Sequence, residues 1–208
     1  MKRVFLSLIA AIAVLAVTVA LLAWFSWQSP PWYVPPDFKD PEVSKLADRA
    51  EYHFNEELHK VRPSEEVWRI RIGDVTMNAW LSGRLEAWLT HDQKIALPQE
   101  IHAPQVHVTD GGIWTYAEVE ITKDSPRPLG IKWWIWIDEG KLLVEPISVR
   151  LGTLPLPMIF FDKQLAKLRK EMLDVRAIIP LLDDRSVEVQ HISFENGSFV
   201  LTCRTVLK

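Results

Sequence analysis

Val4 to Trp27, VFLSLIAAIAVLAVTVALLAWFSW, contains no charged side chain. Ser7, Thr18 and Ser26 are its only polar residues, and each hydroxyl can bond back to the helix's own carbonyls. As a helix it reaches roughly 36 Å, enough to cross a hydrocarbon core of about 30 Å with some tilt. Lys2 and Arg3 precede it, and no charge follows before Asp37. The positive-inside rule then predicts a cytoplasmic N-terminus with the remaining chain outside. Trp24, Trp27, Trp32 and Tyr33 fall where an interfacial aromatic belt is expected. A cleaved signal peptide has a shorter apolar stretch ending in a small-x-small site. Bulky Trp24, Phe25 and Trp27 occupy that end here, so the sequence predicts a retained single-pass signal anchor in the cell membrane.

Beyond the anchor, Gln28 to Asp40 reads QSPPWYVPPDFKD. Four prolines forbid helix there and favour stiff extended chain, so residues 28–40 are expected to form a tether. Residues 41–208 then form one extracytoplasmic domain, long enough to bury a core. The whole chain has 24 basic and 27 acidic residues, and setting Lys2 and Arg3 aside moves the balance further toward the acidic side. A nucleic-acid partner needs a basic face, which this composition does not favour. Cys203 is the only cysteine, so no internal disulfide can form and stability must come from burial. Ten tryptophans stand among 208 residues.

The chain order predicts an α+β domain. Pro41 to about Lys60 has an apolar stripe of Val43, Leu46, Ala47, Ala50, Phe54 and Leu58 at helical spacing, with Asp40 as cap. Val67–Ile72 alternates as a strand, with Trp68, Ile70 and Ile72 on one face. A second helix is expected from Asp74, as its cap, to about Leu89, with a broad apolar face of Met77, Trp80, Leu81, Leu85, Trp88 and Leu89. Thr90 to Ala103 reads as a loop with an extended edge. Gln105–Thr109, Ile113–Ile121, Lys132–Ile137 and Leu142–Leu151 read as hairpin strands. A third helix is expected from Pro157 to Leu173. Val187–Phe194 and Phe199–Leu207 form the last hairpin, turned at Asn196-Gly197. Segregated runs of helices and hairpin strands give an antiparallel sheet packed by about three helices.

Motifs for catalysis are weak. No Gly-x-Ser-x-Gly elbow and no Gly-rich phosphate loop is present, and Cys203 falls mid-strand, where a packed thiol is expected. His53, Glu56, Glu57 and His59 share one predicted helix. His53 and His59 diverge by roughly 120° around its axis, whereas helical zinc motifs pair histidines at i and i+4. No metal or cofactor is expected. The carboxylate pairs Asp183-Asp184 and Glu118/Glu120 read as solvated groups, and no enzyme activity is predicted. Asn196-Gly197-Ser198 matches a glycosylation pattern, but Asn-Gly is also a tight hairpin turn and is read as one.

The unusual feature is the sheet. Ile131-Lys132-Trp133-Trp134-Ile135-Trp136-Ile137 is apolar on both faces, while a half-exposed antiparallel strand should alternate with polar residues. Its neighbour presents Trp114 and Tyr116 opposite Ile113, Ala117, Val119 and Ile121. Part of the sheet therefore needs apolar cover on both sides. A helix or loop can supply it, or Trp114, Tyr116, Trp134 and Trp136 can line a groove for an apolar ligand. A second feature is Gly152–Phe161, GTLPLPMIFF, the longest apolar run outside the anchor. It either packs on the sheet through Ile159, with Leu165, Leu168 and Met172 following, or dips into the outer leaflet.

Asp74-Val75-Thr76-Met77-Asn78-Ala79-Trp80-Leu81 and Val149-Arg150-Leu151-Gly152-Thr153-Leu154-Pro155-Leu156-Pro157 resemble segments of the YpmS-like family. These are single-span, outward-facing bacterial proteins without an assigned reaction. The resemblance implies location and architecture, and carries no catalytic residues over. The expected function is a non-catalytic envelope protein that binds an apolar ligand, lipid above all, or a membrane partner. The alternative is a structural or accessory subunit of a membrane protein complex.

Overall fold

The computed structural model describes residues 2–63, 66–91, 96–122, 125–172, 175–181 and 183–207. Part of the expected loop at 92–95, the expected helix end at Leu173, and the side chains of Ile121, Leu168 and Met172 lie outside them. The first helix, α1 (Lys2–Trp27), is long and apolar enough to be a membrane span or a signal anchor. Behind it stands an α+β domain whose strands divide into two antiparallel sheets rather than one. The smaller sheet orders β1 (Val67–Gly73), β9 (Ser198–Leu207), β8 (Arg185–Glu195) and β7 (Ile178–Pro180). The larger is a meander of β2 (Ile101–Thr109), β3 (Gly112–Thr122), β4 (Ser125–Asp138), β5 (Lys141–Leu151) and β6 (Leu154–Leu156).

The sheets face one another across the main core. From the smaller sheet come Trp68, Ile70, Val187, Val189, Ile192 and Cys203; from the larger come Val106, Val108 and Ile113, with Trp133 and Ile135 packed against them. Each such side chain, fully buried, contributes about 1.5–3 kcal/mol. The alternation expected of β1 is present, with Trp68 and Ile70 buried between exposed arginines. Hairpin chemistry closes the strands where expected: Asn196 and Gly197 have φ of 49° and 69°, and Glu139 and Gly140 have 47° and 73°. Two consecutive positive φ values match the right-handed twist of the strands they join.

Among the described residues, four helices complete the domain. In α2 (Pro41–His59), Asp40 accepts from the Glu42 amide at 2.9 Å, and proline holds the first position, as its sequence requires. Arg185, held by Asp183, closes the other end by donating to the His59 and Lys60 carbonyls at 2.9 and 3.2 Å. The expected second helix divides at Arg84 into α3 (Asp74–Gly83) and α4 (Leu85–His91). Gly83 permits the break to sit against the tether: a Cβ there would lie 1.7 Å from the Phe38 ring. Asp74 does not cap α3. The cap is Gly73, and the Asp74 carboxylate is spent on β2 instead. The expected third helix opens as a 3-10 turn, Met158–Phe161, before α5 (Asp162–Met172). β6 and β7 are too short to carry a sequence period.

Candidate functional site

The four aromatic residues singled out in the sequence are not gathered in one groove. Trp114 and Tyr116 lie together on the outer face of the larger sheet, ring centroids 5.7 Å apart. They are only 8% and 2% exposed, and the tether covers Tyr116. Trp32 meets Tyr116 edge-on at 5.0 Å, and Tyr33 lies 5.8 Å from it. Tyr116 can lie flat on the sheet because Gly130 stands opposite it in β4, where a Cβ would be 2.1 Å from the ring. Its hydroxyl donates to the Gly152 carbonyl at 3.2 Å, and burial pushes the phenol's pKa up. Tyr33 donates to the Ala103 carbonyl at 2.9 Å, and burial raises its pKa too. Arg150 covers the Trp114 ring at 4.7 Å. Trp134 and Trp136 lie beyond the end of the β3–β4 pairing, opposite Glu145 and Leu143 of β5. Trp134 is 40% exposed and has Phe194 of β8 5.5 Å away; Trp136 is half-buried.

The tether is thus packed cover rather than a free spacer. Besides Trp32 and Tyr33, its Val34 carbonyl accepts from the Gln105 side chain at 2.8 Å, and Trp32 stacks on His107 at 4.7 Å. These contacts supply the second apolar face that the strand sequences demand.

The open apolar space lies elsewhere, between α2 and the α3–α4 pair. It has a volume of about 600 Å³ and is lined chiefly by Phe54, Ile70, Met77, Trp80, Leu81 and Val106. That volume falls within the ~300–1,000 Å³ typical of ligand pockets. Trp80 and Trp88 form an edge-to-face pair at 6.0 Å on one wall and lead into a second, more polar hollow with Asp48, Tyr52 and Arg84. Arg84 donates to Asp48 across the two helical elements, and that carboxylate raises the guanidinium's pKa.

The cleft exists because of how α3 is fastened. Asn78 donates to the Val106 carbonyl at 2.9 Å and accepts from the Val106 amide at 2.7 Å. One turn earlier, Asp74 accepts from the Val108 amide at 2.8 Å and pairs with His107 at 2.6 Å. Residues four apart on a helix stand one turn, about 6 Å, apart, and residues two apart on a strand nearly 7 Å, so the two spacings match. Side chains of α3 therefore satisfy the outer edge of β2 as a further strand would. The helix is held at the sheet edge, with Met77, Trp80 and Leu81 turned toward α2. The sequence shows that face only as broad and apolar, and its breadth is the signal that it serves more than one surface.

His53 lines the cleft, whereas Glu57 pairs with Arg62 and the His59 ring contacts the Asn55 carbonyl of its own helix. Among the described residues no group of three or more His, Cys, Asp or Glu side chains is placed to hold a metal. Cys203 is fully buried, and burial pushes its thiol up to about 11. No family model and no curated protein matches the chain.

Proposed function

We propose that this is a membrane-anchored, extracytoplasmic, non-catalytic protein that holds an apolar ligand, a lipid acyl chain, in the cleft between α2 and α3–α4. The observation that carries this is an open apolar space walled by Phe54, Met77, Trp80 and Leu81, whose shape is fixed by the Asn78 and Asp74 bonds to β2. A preformed cleft with a mainly apolar lining and a few polar groups, Glu51, His53, Asn55, Arg71 and Thr76, suits a chain-like apolar ligand. The retained anchor is supported by its last turn, which is part of the domain's packing. The Phe25 carbonyl accepts from the Thr153 amide at 3.0 Å, and Arg127 donates to the Ser26 hydroxyl at 2.6 Å. Gly152, at φ 59°, lets the chain pass so close that a Cβ would be 2.5 Å from the Phe25 carbonyl oxygen. Membership of the YpmS-like family belongs to the same proposal: its two motifs are the α3 fastening and this Gly152 corner.

Native mass spectrometry of the full chain, released from mild detergent after extraction from membranes, tests the ligand. The expected spectrum shows a retained lipid that Trp80→Ala largely loses while the fold stands. A chain that carries no lipid, or carries it equally after Trp80→Ala, contradicts the proposal. An accessory-subunit role would instead show as a retained membrane-protein partner and no lipid. External protease on spheroplasts reads the topology, and protection of the domain would overturn the outward orientation.

A further inference from the structure

The apolar run after β5 does not pack on the sheet through Ile159. In the 3-10 turn Met158–Phe161, Ile159 and Phe160 are 71% and 70% exposed, side by side. A soluble surface tolerates single apolar residues, but adjacent large ones in a tight turn point to an apolar partner. The position of the turn says which. Thr153 is bonded through both its amide and its hydroxyl to the Phe25 carbonyl at the end of α1. Exposed Trp24 and Trp27 flank that carbonyl and mark the level of a membrane interface. From Thr153 to Ile159 the chain runs six residues, no more than about 20 Å. The intervening β6 pairs with β5 and touches α1. Exposed Lys163 and Lys167 follow in the first turns of α5, where lipid phosphates would meet them.

We propose that Ile159 and Phe160 form a second membrane contact, a wedge seated in the same leaflet interface as the end of α1. With α1 it gives the domain two points of attachment, and so one orientation over the bilayer. The inference rests on α1 spanning the membrane, as proposed above, but not on what the cleft binds.

The test uses the full chain in lipid vesicles. Ile159→Cys and, separately, Phe160→Cys are labelled with an environment-sensitive fluorophore; buried Cys203 stays unlabelled in the folded protein. Val61→Cys, exposed and far along the chain, is the reference. The expected result is blue-shifted emission at 159 and 160, most of it lost with lipids spin-labelled near the headgroup, since interfacial side chains sit about 5–10 Å deep. Val61 should keep an aqueous spectrum. Flotation with the vesicles reads α1 by itself. A chain that floats but shows the same aqueous emission at 159, 160 and 61 overturns the wedge and leaves the span standing. A chain that does not float overturns both.

Discussion

Two aromatic clusters in this molecule have opposite fates. On β3, Trp114 and Tyr116 look from sequence like the walls of a groove, yet Trp32 and Tyr33 of the same chain fill the space above them. Between α2 and α3, Trp80 and Trp88 look like ordinary core on an amphipathic helix, yet the space beside them is open. Aromatic content alone does not separate the two. What separates them is whether a local segment can reach the face. The proline-rich tether leaves α1 beside β4 and β5 and must cross the outer face of the larger sheet to start α2. Among the described residues, the space between α2 and α3–α4 stays open.

The contrast is sharpest in stability. Tyr116→Ala removes a ring that packs on the tether and over Gly130, and should cost about 3–5 kcal/mol, as for other buried aromatics. Urea denaturation of the full chain in detergent reads it. A loss below 1 kcal/mol would mean that the tether is not seated. Asn78→Leu leaves the Val106 amide and carbonyl without their partners and should cost about 1–3 kcal/mol. It should also loosen α3, seen as faster amide exchange across Asp74–Gly83; unchanged exchange and melting temperature would remove the fastening from the account. Trp80→Ala should act on binding more than on folding, weakening retention of an acyl probe by about tenfold, or 1.4 kcal/mol. A large fall in melting temperature with unaltered binding would make the cleft mere core. A further effect lies in alkali. The folded Cys203 thiol is raised to about 11 by burial, against about 8.5 unfolded. A raised folded pKa contributes stability below the unfolded value and loses it as pH climbs toward the folded one. Between pH 8.5 and 11 the wild type should therefore lose stability more steeply than Cys203→Ala. Parallel pH profiles would contradict a buried protonated thiol.

Much of the fold was legible where one signal dominates. Asp40-Pro41 opens a helix by cap and ring geometry, and Asn196-Gly197 turns a hairpin because both residues accept positive φ. The alternation of Trp68, Arg69, Ile70 and Arg71 named its buried face. Legibility failed where a residue serves a distant segment. Asp74 has the look of a cap, but its carboxylate bonds the edge of β2, thirty-odd residues away. Gly83 reads as a helix interior until Phe38 is placed against it. The single expected sheet divided in two because strand order depends on pairing that no local period records. The site shifted for a similar reason. Strand faces can be read from alternation, but what lies above them depends on where the tether runs.

The most direct measurement is photo-crosslinking of the full chain in lipid nanodiscs with a fatty acid that carries a photoreactive group along its chain. The account predicts label on α2 and α3–α4, at Phe54, Met77 and Trp80, with Trp114 and Tyr116 unlabelled beneath the tether. Label concentrated on Trp114 and Tyr116, or none anywhere in the domain, would contradict it.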